Sequence, residues 1–139
     1  MQIKKVVVIG SGTMGSGIAA HLCNANIPVT LLDLKTEISE QARERIHKSR
    51  PPLLLDKSKI NNIKVGNIKD NFDTVKDADW VVEAVVERID IKQNIYKKIF
   101  KERKKGAIVS SNTSSIPIKI LSENLSEEEK KDFCITHFF

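Results

Sequence analysis

Residues 4–17 read KKVVVIGSGTMGSG, and this stretch decides the fold. An apolar run, Val6-Val7-Val8-Ile9, meets Gly10, Gly12 and Gly15 in the order G-x-G-x-x-G, directly after a strand-like segment and directly before a helix-like one. In that setting Gly10 permits the tight turn out of the strand. Gly12 lets a pyrophosphate approach the backbone, and Gly15 lets the next helix sit close on the strand. That helix starts near Thr13, and its free N–H groups and positive dipole end face the phosphates. Gly17 is expected to add a fourth close approach.

Further along, Pro28-Val29-Thr30-Leu31-Leu32 reads as a second strand that ends in Asp33, 18 positions past Gly15, near the ~20 typical of an acid that holds an adenine ribose. Such a carboxylate accepts hydrogen bonds from ribose hydroxyls and repels a 2′-phosphate, which favours NAD over NADP. An alternative for Asp33 is a helix N-cap. Lys35, the one nearby cation, reads as a solvated lysine opening the second helix.

The alternation continues. The first strand is expected over Ile3–Ile9 and its helix from Thr13 to Asn24, with Ile18, Leu22 and Ala25 on one face. A second helix is expected over Glu37–Lys48, with Ile38, Ala42 and Ile46 at helical spacing, stopped by Pro51-Pro52. Residues 51–62 read as a surface connection. Then come a short strand Ile63–Ile68, a helical turn around Phe72 and Val75, and a buried strand Trp80–Val85. An amphipathic helix Ile89–Lys104 follows, with Lys92 and Lys98 opposite its isoleucines. A strand Ala107–Ser110, a helix Ile116–Leu125 with Pro117 in its first turn, and a strand Phe133–Phe138 complete the pattern. Six strands alternating with helices imply a doubly wound, mainly parallel α/β sheet of the Rossmann type, in the order 3-2-1-4-5-6, within a single domain spanning residues 1–139.

Composition narrows the classes. The 139 residues are 40% hydrophobic and 29% charged, ordinary for a globular chain with one core. No apolar run approaches the ~18 residues of a membrane span, so no membrane role is expected. The N-terminus carries no signal-peptide pattern. Cys23 and Cys134 stand far apart, form no C-x-x-C, and read as small core residues, which fits a reducing cytoplasm and no metal site. The net charge of +5 and pI near 9.2 come from scattered lysines with too few aromatics for base stacking, so nucleic acid is not an expected partner. A mild positive field suits a phosphate-bearing ligand.

Three more stretches fall at the carboxyl ends of expected strands: DADWVVEAVVE at 77–87 with Lys92 beyond it, SSNTSS at 110–115, and THFF at 136–139. Together with GSGTMGSGIA they resemble, in order, the NAD-binding domain of the 3-hydroxyacyl-CoA dehydrogenase family, in the style of the large bacterial fatty-oxidation proteins. The resemblance implies oxidation of the 3-hydroxyl of an acyl-CoA with NAD in β-oxidation. It assigns the pyrophosphate to Gly10, Ser11, Gly12, Thr13, Met14 and Gly15, and the adenine ribose to Asp33. Glu87 and Lys92 are assigned to the nicotinamide side. Ser114 bonds the substrate oxygen beside the cofactor, and His137 is the general base. An imidazole, with an ordinary pKa of about 6.5, suits that role. From the residues themselves, Ser115 also fits a helix cap, Glu87 a first-turn acid, and His137 a packed strand histidine; His21 and His47 match no motif.

The family's pattern continues past the H-F-F with Asn-Pro and with a glutamate that pairs with the histidine, then a helical C-terminal domain. This chain shows none of these. The resemblance therefore implies NAD binding with little or no activity by the chain on its own, either as half of a split enzyme completed by a separately encoded C-terminal polypeptide or as a remnant that only binds cofactor, and exposed Phe138 and Phe139 that favour a homodimer or aggregation. A non-catalytic NAD-binding module, or another β-hydroxyacid dehydrogenase, are the other readings; SNTSS and HFF argue against the last. Lys48 and Arg50 are candidate coenzyme A contacts.

Overall fold

A computed structural model describes residues 1–138. Six parallel strands form one sheet: β1 (Val6–Ile9), β2 (Val29–Asp33), β3 (Ile63–Asn67), β4 (Trp80–Glu83), β5 (Ile108–Ser111) and β6 (Phe133–Ile135), in the order β3-β2-β1-β4-β5-β6. This is the doubly wound order expected from the alternation. In register, Ile9 stands between Leu32 of β2 and Glu83 of β4, so the carboxyl ends of these three strands share one edge. The order reverses between β1 and β4, and the crevice that opens at such a point is where α/β sheets bind ligands.

β1 and β4 read as continuous apolar runs because both faces of a parallel sheet are covered. Val6, Val8 and Leu31 pack on one side against Ile18 and Leu22 of helix α1 (Thr13–Asn24) and Ala42 and Ile46 of α2 (Thr36–Lys48). Val7, Ile9 and Val81 pack on the other against Ile95 and Ile99 of α3 (Ile89–Glu102). Each such side chain removed from water is worth about 1.5–3 kcal/mol.

Several expectations shift. The first strand begins at Val6, not Ile3, because Lys4 N–H and Lys5 N–H donate to the Asp79 carboxylate (2.8 and 3.0 Å) instead of a ladder partner. On α2, Ile38 is exposed while Ser39, Ala42 and Ile46 are buried. Ser39 is drawn inward by its hydroxyl bonds to the Thr36 and Gly66 carbonyls. Ala25 is the exposed C-cap of α1. The 51–62 connection is not wholly surface: Leu54 and Ile60 are buried, and Lys57–Asn62 form a 3-10 turn capped by Asp56. A second such turn, Phe72–Asp77, lies where Phe72 and Val75 marked one.

The helix expected over Ile116–Leu125 is one turn, α4 (Ile118–Leu121). Pro117 stands outside it as the N-cap in extended conformation. A short helix not foreseen, α5 (Glu127–Lys130), is started by a capping box between Ser126 and Glu129. The last strand ends at Ile135, so Thr136, His137 and Phe138 lie beyond the sheet. Phe138 is half-buried against the chain's own core, stacked on Trp80 and edge-on to His21, rather than left bare. Phe139 lies outside the described residues. Cys23 is buried and Cys134 half-buried, both free, and burial pushes the Cys23 thiol up to about 11 against a smaller opposing pull from Arg43.

Candidate functional site

The glycine loop leaves β1 in a way only glycine allows. Gly10 has φ +103°, and a Cβ there would stand 2.4 Å from the Ala84 carbonyl oxygen. The same approach ends β4 early: Ala84 N–H still reaches the Ile9 carbonyl (2.8 Å), but the strand stops at Glu83 rather than Val85. A Cβ on Gly15 would lie 1.8 Å from the Gly10 carbonyl oxygen, so α1 sits directly against the loop. A Cβ on Gly12 would meet nothing within 4 Å, which leaves that side of the backbone open to a ligand. The expected close approach at Gly17 is not made by this chain, since a Cβ there would also meet nothing within 4 Å. Thr13 and Met14 are exposed at the start of α1, where no side chain caps the first turn and no acid occupies it. A bare, acid-free helix N-terminus beside an open glycine is the arrangement that accepts a pyrophosphate.

Asp33 ends β2 beside this cradle and is not a helix N-cap; Lys35 holds that place for α2. Its Oδ2 accepts from Ser11 N–H (2.8 Å) and the Ser11 hydroxyl (2.5 Å), and Oδ1 from Leu34 N–H (2.7 Å). The carboxylate thus braces the loop and keeps acceptor capacity at Oδ1. Across the loop, the Ser11 carbonyl accepts from Ser16 Oγ (2.9 Å) and Arg45 (3.1 Å), a cation on α2 that no motif marked.

At the β4–β5 end the structure gathers residues the motifs scatter along the chain. Met14, Glu87, Lys92, Asn112, Ser114 and His137 line one cavity of about 290 Å³, with Ala84, Val85 and Phe138. Three hydrogen bonds bring the 136–138 stretch to this place. Thr136 N–H donates to the Ser111 carbonyl (2.9 Å), Thr136 Oγ1 to Ser110 Oγ (2.8 Å), and Phe138 N–H to Asn112 Oδ1 (2.8 Å). His137 is exposed at the mouth rather than packed in a strand. Ser114 is likewise exposed. Ser115 caps no helix; its hydroxyl and that of Thr113 donate to Glu87 Oε2 (2.9 and 2.7 Å).

Lys92 departs most from expectation. Helical spacing put it on the solvent side of α3, yet it is 1% exposed. Its ammonium reaches Glu83 (2.6 Å) and Glu87 (2.9 Å). The cause is Glu83, fully buried at the end of β4, whose oxygens also accept from the Tyr96 hydroxyl (2.5 Å), Ser111 Oγ (2.7 Å) and Val85 N–H (2.9 Å). A carboxylate so deep needs a cation and full hydrogen bonding. Burial pushes the Glu87 carboxyl up, but the bonds from Thr113, Lys92 and Ser115 and the Lys92 charge outweigh it and hold it below its ordinary value. Burial, with Glu83 beside it, drives the Tyr96 phenol well above its ordinary range. The signal for Glu83 was visible as a lone acid inside the apolar run Trp80–Val86.

Among the described residues no group of His, Cys, Asp or Glu is placed to hold a metal, and no helix is long and apolar enough to cross a membrane. Lys48 and Arg50 stand on a different cavity of about 280 Å³, with His47 and Lys57.

An open glycine cradle at a helix N-terminus, an acid at the end of the neighbouring strand and a crevice at the β1–β4 reversal define a dinucleotide-binding domain of the Rossmann class. The family model for the 3-hydroxyacyl-CoA dehydrogenase NAD-binding domain matches residues 5–139, and the chain belongs to that family. A Rickettsia felis protein named as a fatty acid oxidation complex trifunctional enzyme is 45% identical over 99% of the chain, which covers 20% of that protein. A Deinococcus radiodurans protein named as a 3-hydroxyacyl-CoA dehydrogenase is 42% identical over 100% of the chain and 42% of its own length. Among solved structures, a 3-hydroxybutyryl-CoA dehydrogenase from Escherichia coli superposes with a TM-score of 0.86 at 25% identity, covering all of this chain and 30% of the other. The chain thus spans less than half the length of these relatives.

Proposed function

We propose that residues 1–139 act as one NAD-binding domain that presents cofactor and catalytic groups for oxidation of a 3-hydroxyacyl-CoA to the 3-oxoacyl-CoA. The observation that carries this reading is that Ser114 and His137 line the same cavity as Met14 of the glycine loop. Substrate oxygen, acid–base group and cofactor end can therefore meet at one place. NAD supplies the hydride acceptor. In this reading Gly10–Gly15 cradle the pyrophosphate and Asp33 takes the adenine ribose. Glu87 and Lys92 stand at the nicotinamide end. Ser114 donates a hydrogen bond to the substrate oxygen. His137 takes the hydroxyl proton as the carbon gives up hydride, acting as general base. The acid at the end of β2 supports NAD over NADP.

The relatives that the chain matches are longer and include a multifunctional fatty-oxidation enzyme. That supports a further polypeptide region covering the acyl chain and completing the histidine's environment, whether on the same chain or separately encoded. A cytoplasmic setting suits two unpaired cysteines.

Calorimetric titration of the 139-residue chain with NAD, NADH and NADPH tests the cofactor half. NAD should bind, and NADPH at least tenfold more weakly; equal affinity for NADPH would remove the role given to Asp33. Adding candidate C-terminal halves and following NADH oxidation with acetoacetyl-CoA tests the chemistry. His137→Asn should then lower kcat by a factor of about 10² or more while leaving NAD affinity in place.

A further inference from the structure

The cofactor-end cavity has a charge balance set mostly from behind its wall. Glu83 and Lys92 are both fully buried, while Glu87 is 43% exposed. All three are joined through the Lys92 ammonium, which also points at the Val85 carbonyl (3.4 Å). Every position on the Glu83 carboxylate is filled by a donor: Lys92 and Val85 N–H on Oε2, Tyr96 and Ser111 on Oε1. It therefore sits there as an acceptor-only, negatively charged group. Two carboxylates share one ammonium, and the cluster carries one net negative charge. That charge lies where Glu87 and Lys92 line the cavity, and because Glu83 and Lys92 are withdrawn from water it is screened less than a surface charge.

We propose that the Glu83–Lys92–Glu87 triad makes this site favour the oxidised, cationic nicotinamide over the reduced, neutral one, with Glu83 the positioning residue that sets the balance. This rests on the reading above that the nicotinamide occupies this cavity. An oxidised nicotinamide ring carries a positive charge that is lost when hydride is added. A fixed negative charge nearby stabilises the first form and not the second. Glu83 cannot touch the ring. It acts by holding Lys92 inside the wall, so that the ammonium balances a buried acid as well as Glu87 and does not reach into the cavity as an unpaired cation.

The test is the ratio of NADH to NAD dissociation constants, measured on the folded chain by calorimetry and by NADH fluorescence. Glu83→Gln cancels the net charge, and preference for NAD should fall about tenfold. Glu87→Gln cancels it from the exposed side and should shift the ratio the same way, which keeps the test open if the buried variant does not fold. The double variant Glu83→Gln/Lys92→Gln restores one net negative charge and should return the ratio to within about threefold of wild type. A merely structural role for the triad predicts instead that the double variant is at least as impaired as the single. An unchanged ratio in Glu83→Gln and Glu87→Gln, or a double variant no better than the single, with both cofactors still bound, overturns the inference and leaves the proposed function standing. Failure of the wild-type chain to bind either cofactor overturns the proposed function itself.

Discussion

Two glycines in one loop are expected to fail in opposite ways. At Gly15 an added methyl would collide with the Gly10 carbonyl at 1.8 Å, a backbone atom that cannot give way. Gly15→Ala should cost about 3 kcal/mol and lower the melting temperature measurably. At Gly12 an added methyl would meet nothing within 4 Å. Gly12→Ala should therefore melt close to wild type and yet bind NAD at least tenfold more weakly, because its methyl occupies the space a pyrophosphate needs. Thermal melting and calorimetry on the two variants separate these outcomes. Glu87 adds a pH signature. Its native value lies below the ordinary 4.5, so the stabilisation it brings is complete above that pH and is lost as pH falls through the lower native value. A melting series from pH 6 down to pH 3 should show that loss, and Glu87→Gln should flatten it. The close packing at Gly10 and Gly15 was legible in the sequence because each depends on a missing side chain at a fixed spacing, whereas Gly17 makes no such approach. The burial of Lys92 was not legible, because it depends on an acid nine residues away that periodicity does not weigh.

Among the elements, α3 is held to the sheet by more than its isoleucines. Tyr96, fully buried, donates to Glu83 and packs its ring against Phe133 of β6, with centroids 4.9 Å apart. Tyr96→Phe keeps the packing and removes one donor from a buried carboxylate, which should cost about 1–3 kcal/mol in chemical denaturation. The capping box of α5 is a smaller case: Ser126→Ala should cost about 1 kcal/mol, with no effect on cofactor binding. Long periodic elements such as α1 and α3 were readable within a few residues. The stretch after β5 was not, since Pro117, with ψ 140°, cannot lie inside a helix and one turn is all that follows. The S-x-x-E pattern at Ser126–Glu129 is the sequence signal for α5.

Across the sheet, Asp79 ties distant parts of the chain together. Its carboxylate accepts from Lys4 and Lys5 N–H ahead of β1 and pairs with Lys104 just past α3. Those bonds, that of Lys104 foremost, hold it at about 2 against an ordinary 3.8. Its contribution is present above pH 3.8 and fades as pH falls towards 2, so Asp79→Asn should lower the neutral-pH melting temperature and narrow the gap to wild type in acid. Parallel strand order and the crevice at its reversal follow from the alternation of apolar runs and amphipathic segments, because local periodicity and the handedness of crossovers leave few topologies. The sequence by itself therefore determined the sheet, the glycine cradle, the acid at Asp33 and the family. Only the tertiary structure decided that Lys92 is an internal counter-ion, that Asp33 braces Ser11, and that His137 and Ser114 meet at one cavity. Each of these rests on hydrogen bonds that join separate elements of the fold, where the cost of burying a charge or leaving a donor unpaired overrides the pattern along the chain.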